Sequence, residues 1–258
     1  MIKKIFLKVL IILCFLLISK SFAVVLPVFK QSTLVPDLSG DGVGGPGDVT
    51  LSADGTKIHF TNFTNTNNKD ILRQFTLSKP FDISTLDTAT EVQIDLDAGS
   101  DDIGNFAQGH EFNNDGTKVF VISQNGPLNV HTLTTPYDIS DFSQDADDGV
   151  NYRTAFSAAD GDIRSRDITF NNDGTKMYLI DGGNNTITDG EVIEYDLSTP
   201  FVPSTATFVN ELVVTDELSL FEQDVEFDDD GTRMYVIDSH TSAHPNACLL
   251  YTSDAADE

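Results

Sequence analysis

FNNDGTKMYLI, residues 170–180, sets an apolar residue, a polar knot ending in Asp-Gly-Thr, and then an alternation of apolar and polar residues. Asp-Gly between two runs of strand-forming residues is a strong hairpin signal, because Gly accepts positive φ freely and Asp tolerates it. The chain writes this hairpin four times: LSADGTKIHFT at 51–61, FNNDGTKVFVI at 112–122, the copy above, and FDDDGTRMYVI at 227–237. The Asp-Gly pairs begin at Asp54, Asp115, Asp173 and Asp230, giving periods of 61, 58 and 57 residues. A repeat of this length is read before anything else, because it dictates the fold class.

Each copy has a strand before the turn, at 48–52, 109–113, 166–170 and 223–227, and one after it, at 57–62, 118–123, 176–181 and 233–238. Lys57, Lys118, Lys176 and Arg233 are expected to flank the hairpin tips in solvent. A third strand follows a variable polar loop and reads ILRQFTL (71–77), LNVHTL (128–133) and EVIEYDL (191–197). It runs into a shared corner, SKPFDIS, TTPYDIS or STPFVPS. Pro80, Pro136 and Pro200 end the strand, since proline cannot donate to a ladder. Phe81, Tyr137 and Phe201 are expected to plug the space between neighbouring sheets. A fourth strand at 90–97, 150–158 and 207–215 completes each unit. Four antiparallel strands per repeat, with no helical period, predict an all-β fold: a partial β-propeller of four-stranded antiparallel blades, about three and a half of them. The repeats run 46–104, 105–162, 163–218 and 219–247, the last incomplete.

The DGTKMY run (173–178) together with YDLSTP (195–200) resembles the WD-repeat-like and YVTN-like β-propellers of bacterial exported proteins. Trp is absent, so the WD dipeptide itself is missing. The period also exceeds the roughly 40–50 residues of WD and kelch repeats. The resemblance covers about 46–247 and implies the fold. It implies no single activity, because propellers carry unrelated functions.

The ends read differently. Lys3, Lys4 and Lys8 precede an apolar run at 9–18 and the small residues Ser21 and Ala23, the pattern of a secretory signal peptide over 1–23. The run is shorter than the roughly 20 apolar residues of a membrane span. The expectation is an exported protein (periplasmic, cell-surface or extracellular) with no membrane insertion after cleavage. Residues 24–45 read as an N-terminal strand and a Gly/Asp-rich loop. CLLYTSDAADE, 248–258, back-translates in one frame to a transposase adapter used in sequencing libraries. It is expected to be an artefact that packs on nothing. Cys14 and Cys248 fall in these two end segments, so the remainder relies on an ordinary core without disulfides.

The chain carries 41 acidic against 15 basic residues, a net charge of −26, and 32 of the acids are Asp. That charge excludes nucleic acid and anionic membrane surfaces as partners. The Asp bias fits a turn-rich β protein, with Ca2+ as the one cofactor the sequence suggests. DLSGDGVGGPGD (37–48) places Asp37, Ser39 and Asp41 at positions one, three and five of a calcium loop, Gly42 at six and Asp48 at twelve. The twelfth position is Asp rather than a bidentate Glu, and the glycines equally suit a plain link. Asp48, Asp167 and Asp224 also occupy equivalent places on the inner strands, with Gly109 in the second copy. Three carboxylates around one channel mouth suit a cation or a sugar, although such an Asp more often accepts hydrogen bonds within the frame.

His59, His110 and His131 stand where other copies carry apolar or aromatic residues, and are expected to pack. His240 and His244 form a weak pair in coil. No Ser-His-Asp or Cys-His order assembles, and no phosphate loop lies between a strand and a helix. These readings favour a non-catalytic scaffold for a protein or glycan ligand. The alternatives are a lactonase-like or other calcium-dependent hydrolase with its site at the channel mouth, and a calcium-stabilised cell-surface structural protein.

Overall fold

A computed structural model describes residues 46–62, 70–96, 107–124, 127–143, 150, 164–182, 190–214, 222–228, 231–238 and 248–252. The chain divides into two compact units, 1–32 and 33–258, and every described residue belongs to the second. Four antiparallel sheets follow one another along it. The first is β1 (Pro46–Leu51), β2 (Lys57–Asn62), β3 (Ile71–Leu77) and β4 (Leu86–Asp95), paired in that order. The second is β5 (Ala107–Phe112), β6 (Lys118–Ser123) and β7 (Leu128–Thr132). A bridge from Leu128 to Val150 marks where its fourth strand is expected, most of which lies outside the described residues. The third is β8 (Ser165–Phe170), β9 (Lys176–Asp181), β10 (Glu191–Leu197) and β11 (Ala206–Val213). The fourth is β12 (Glu222–Phe227), β13 (Arg233–Asp238) and β14 (Cys248–Thr252). Among the described residues there is no α-helix, only three short 3-10 turns. The fold is all-β, a partial propeller of four-stranded antiparallel blades.

Strand β14 corrects one expectation. Residues 248–252 do not stand apart from the fold; they pair antiparallel with β13, Arg233 opposite Thr252 through Ile237 opposite Cys248. The second strand of a blade presents a free row of N–H and C=O groups on its outer side. Any short extended segment within reach satisfies that row, and Leu249, Leu250 and Tyr251 belong to such a segment.

The hairpins hold a second correction. The glycine of each Asp-Gly pair adopts positive φ, +68° at Gly55, Gly116, Gly174 and Gly231, whereas Asp54, Asp115 and Asp173 do not. Its N–H donates to the carbonyl three residues earlier: Gly116 to Asn113 and Gly174 to Asn171, both at 2.9 Å. This is an ordinary turn closed by one left-handed glycine, not a turn with two left-handed residues. The Asp has a different task. Asp115 Oδ1 accepts from Thr117 N at 3.0 Å and from the Thr117 hydroxyl; Asp54 and Asp173 repeat the pattern with Thr56 and Thr175. Those bonds hold all three carboxyls below the usual carboxylate range. The residue before the turn cups its far side, as when Asn113 Oδ1 accepts from Lys118 N at 2.8 Å.

The Pro-aromatic corner bolts onto this hairpin. Phe81, Tyr137 and Phe201 all sit at positive φ, near +57°. Each donates its N–H to the hairpin glycine of its own blade, Phe81 to Gly55 at 2.9 Å, Tyr137 to Gly116 at 2.8 Å and Phe201 to Gly174 at 2.9 Å. Each ring then covers the same glycine so closely that a methyl group there would overlap it. Left-handed backbone costs a non-glycine residue about 1–2 kcal/mol, so it persists only where the surroundings fix it.

The core lies between the sheets. One cluster joins Phe120, Ile122, Leu128 and Val130 of the second blade to Ile168, Met177, Leu179, Ile193 and Tyr195 of the third. Two more join the first blade to the second and the third to the fourth. Tyr137 and Phe201 occupy the junctions as expected. Phe112 from β5 lies 4.6 Å from His59 of the first blade and 5.2 Å from Tyr137, centroid to centroid. Phe170 lies 4.5 Å from Phe120 and 5.4 Å from Phe201.

The hairpin lysines do not simply face solvent. Lys57 pairs with Asp138 in the corner of the next blade at 2.8 Å, and Lys118 reaches the Phe201 carbonyl at 3.4 Å. No corner is present in the described part of the fourth blade, and Lys176 turns to Glu194 and Asp196 of its own sheet. His59 also grips the following corner, with Nε2 3.0 Å from the Tyr137 carbonyl. Burial, then the neighbouring His110, push the His59 imidazole down to about 3, so it packs as a neutral ring.

A Cβ added at Gly116 or Gly174 meets both the φ penalty and an aromatic ring, whereas one added at Gly231 meets nothing within 4 Å. Gly231→Ala is therefore expected to cost only about 1–2 kcal/mol. Gly116→Ala and Gly174→Ala are expected to cost clearly more, read by urea denaturation. Equal losses at the three positions would contradict the bolt.

Candidate functional site

Each inner strand carries a bulge just before one position, between Pro46 and Asp48, Ala107 and Gly109, Ser165 and Asp167, and Glu222 and Asp224. A bulge re-aims the side chain that follows it. The carboxylates anticipated from the sequence stand at these places and reach across the blade junctions.

Asp48 Oδ2 accepts from the His110 backbone N–H at 3.0 Å and lies 3.0 Å from His110 Nδ1. The other ring nitrogen of His110 meets the Thr50 hydroxyl at 2.7 Å. Burial would raise the Asp48 carboxyl, but the charge and hydrogen bonds of His110 outweigh it and hold it below its ordinary value. Asp167 Oδ2 accepts from Val225 N of the following blade at 3.4 Å. Its carboxyl is pushed well up by burial, then by the charges of Asp48 and Asp224, and it hydrogen-bonds the Asp224 side chain. Burial raises the Asp224 carboxyl as well. The second copy has glycine for a steric reason: a Cβ at Gly109 would stand 2.5 Å from Asp167 Oδ1. The structure therefore joins Asp167 to Asp224 and commits Asp48 to His110.

Asp37, Ser39 and Asp41 of the possible calcium loop lie outside the described residues, as do His240 and His244. Among the described residues no three His, Cys, Asp or Glu side chains are grouped to hold a metal ion. A cation at Asp48 would compete with His110 for the carboxylate.

Sequence reasoning missed Glu111 and Glu226. They lie two residues beyond Gly109 and Asp224, on the same side of their strands. The pairs Asp48/Thr50, Gly109/Glu111, Asp167/Thr169 and Asp224/Glu226 would have revealed them. Glu111 is half-buried, and Phe112 N donates to it at 2.8 Å. Burial, then the charges of Glu226, Asp48 and Asp224, push its carboxyl up to about 8. Glu226 is raised as well, first by burial and then by Asp224.

A cavity of about 310 Å³ opens where Tyr178 and Phe227 meet, lined also by Asn171, Asp228 and Gly231. It lies at the junction of the third and fourth blades, where Tyr137 and Phe201 stand at the two preceding junctions.

No protein-family profile matches the chain, and no curated protein does. Among solved structures it is similar to a 6-phosphogluconolactonase candidate from Bacteroides uniformis, at 16% identity and a TM-score of 0.47, over 80% of this chain and 53% of that one. It is similar to the periplasmic gluconolactonase of Pseudomonas aeruginosa, at 12% identity and 0.42, over 76% and 50%. It is also similar to Sqt1 from Chaetomium thermophilum, at 12% and 0.42, over 80% and 43%. The chain thus spans about half the length of each or less. Likeness at this identity says nothing of chemistry.

The Glu111 carboxyl sets a pH dependence. Its folded value of about 8 lies above its ordinary 4.5. Below 4.5 both folded and unfolded chains hold the proton, and the group is neutral to stability. Between 4.5 and 8 only the unfolded chain releases it, so stability falls as pH rises and levels off above 8. Glu111→Gln is expected to flatten this slope and to raise Tm at pH 8 relative to the parent. An unchanged slope in melts from pH 5 to 8 would contradict the burial of this carboxyl.

Proposed function

We propose that the chain is an exported, propeller-like binding scaffold that presents its loops to a protein or a glycan and catalyses nothing. One observation carries the reading. The inner-strand carboxylates most suited to chemistry, Asp48 and Asp167, spend their oxygens on the N–H groups of the next blade. The frame repeats, while the segments after the second strand differ: FTNTNNK (63–69), QNGP (124–127) and GGNNTITDG (182–190). Variable loops on a rigid frame are the usual place for recognition. The signal-peptide pattern and the resemblance to exported WD-like and YVTN-like propellers support export. Among the described residues no helix is long and apolar enough to cross a membrane.

Glu111 favours a second reading, a lactonase-like hydrolase. A carboxyl that keeps its proton near pH 7, with carboxylates close by, is the pairing that acid–base catalysis uses. Two assays separate the readings. Binding is measured on a glycan array, before and after the three loops are replaced by Gly-Ser linkers, and sugar lactones are tested by pH-stat with and without calcium. The scaffold reading expects binding that disappears with the loops at unchanged Tm, and no turnover. Lactone turnover lost in Glu111→Gln would replace it with the hydrolase.

A calcium-stabilised form is the third reading, supported by the net charge of −26, since a bound cation relieves self-repulsion. It expects Tm to rise more in calcium than in sodium chloride at matched ionic strength, with the excess lost in Asp41→Ala. Equal melting in the two salts removes it.

A further inference from the structure

An aspartate followed by glycine is prone to close on itself, because no Cβ shields the glycine nitrogen from the aspartate side chain. The nitrogen bonds to the carboxyl carbon. It gives up its proton, the carboxyl gives up its hydroxyl, and one water leaves as a five-membered imide forms. Water then opens the imide at either carbonyl. One product is aspartate again. The other is isoaspartate, in which the main chain runs through the side-chain carbon.

Three copies of this dipeptide are described whole, Asp54-Gly55, Asp115-Gly116 and Asp173-Gly174, and all three aspartates are exposed to the water the reaction needs. Each glycine is nevertheless buried, and three restraints meet on it. The nitrogen that must attack is occupied: Gly55 N–H donates to the Ser52 carbonyl at 2.7 Å, and Gly116 and Gly174 donate to Asn113 and Asn171 at 2.9 Å. The carboxyl is held by the threonine two residues on, through its N–H and its hydroxyl. Those bonds keep the carboxyl ionised, and an ionised carboxylate has no hydroxyl to release. Finally, the corner aromatic lies on the glycine and its N–H holds the glycine carbonyl, so the peptide turns only if the corner lifts.

We propose that Asp115-Gly116 and Asp173-Gly174 are latent isoaspartate sites, closed while the corner is seated and open when it lifts. The change runs one way. Isoaspartate lengthens the main chain of the turn by one carbon and takes the carboxylate out of the side chain. Thr175 then loses its acceptor, and the glycine leaves the position that Phe201 covers. A corner that has reacted does not seat again, and the blade keeps a covalent record of its opening.

Peptide mapping by mass spectrometry tests this on the full chain, held for weeks at neutral pH beside a sample unfolded in urea. In the folded parent both sites are expected to convert at least about tenfold more slowly than in the unfolded sample, because conversion follows the open fraction. Phe201→Gly removes the ring but keeps the N–H and accepts the left-handed backbone. Thr175→Val removes the hydroxyl that holds Asp173. Each variant is expected to raise isoaspartate at Asp173 several-fold and to leave Asp115 at the parent's rate in the same molecule, which separates a local seat from general unfolding. A folded parent that converts at Asp173 as fast as the unfolded chain overturns the proposal. So do two folded variants in which Asp173 converts no faster than in the parent. If Phe201→Gly loses its fold and both sites convert at the unfolded rate, Thr175→Val decides alone, and an equal rise at both sites in that variant also overturns the proposal.

Discussion

One hydrogen bond, from the N–H of a corner aromatic to the carbonyl of a hairpin glycine, holds each of the first three blades in shape. The third strand cannot end where it does unless Phe81, Tyr137 or Phe201 turns into left-handed backbone, and nothing in those side chains favours that turn. The glycine supplies both the acceptor and an open surface for the ring. Its own left-handed conformation is fixed by the turn before it, which the Asp and Thr side chains close. The Asp-Gly-Thr sequence is therefore a seat built for the corner, and its recurrence follows from the recurrence of the corner.

From that seat the blades are joined. A corner aromatic fixed against its own hairpin projects where the preceding blade's second strand can stack on it, as Phe120 does on Phe170 and Phe201. The lysine after the turn then finds a carboxylate or a carbonyl in the next corner. Near the axis, Asp48 and Asp167 tie inner strand to inner strand. Carboxylates buried there need partners, because a buried charge without one is costly. His110 supplies one for Asp48, and Val225 N together with the Asp224 side chain supplies them for Asp167. Glu111 accepts from the Phe112 N–H, and burial raises its carboxyl to about 8.

Much of this was legible in the sequence. The second strands, and the third strands of the first and third blades, fall on the residues the alternation marked, because period-two patterning and Asp-Gly punctuation are local signals. The interblade role of Tyr137 and Phe201 was legible from the shared corner. What escaped depends on neighbours distant in sequence. Whether Lys57 faces solvent depends on Asp138, which lies 81 residues away. Whether Asp48 is a ligand or a tie depends on His110. Residues 248–252 break the repeat as sequence, yet an open strand edge recruits them. Glu111 escaped because the carboxylates that surround it, Glu226, Asp48 and Asp224, come from other blades.

Residue-resolved amide hydrogen exchange tests the central claim most directly. If the corner-to-glycine bond holds the blade, the N–H groups of Tyr137 and Phe201 exchange only with the opening of their whole sheets, as slowly as Val121 in β6 and Leu179 in β9. Exchange of Tyr137 and Phe201 at the fast rates of free loops, while the strands stay protected, would contradict it.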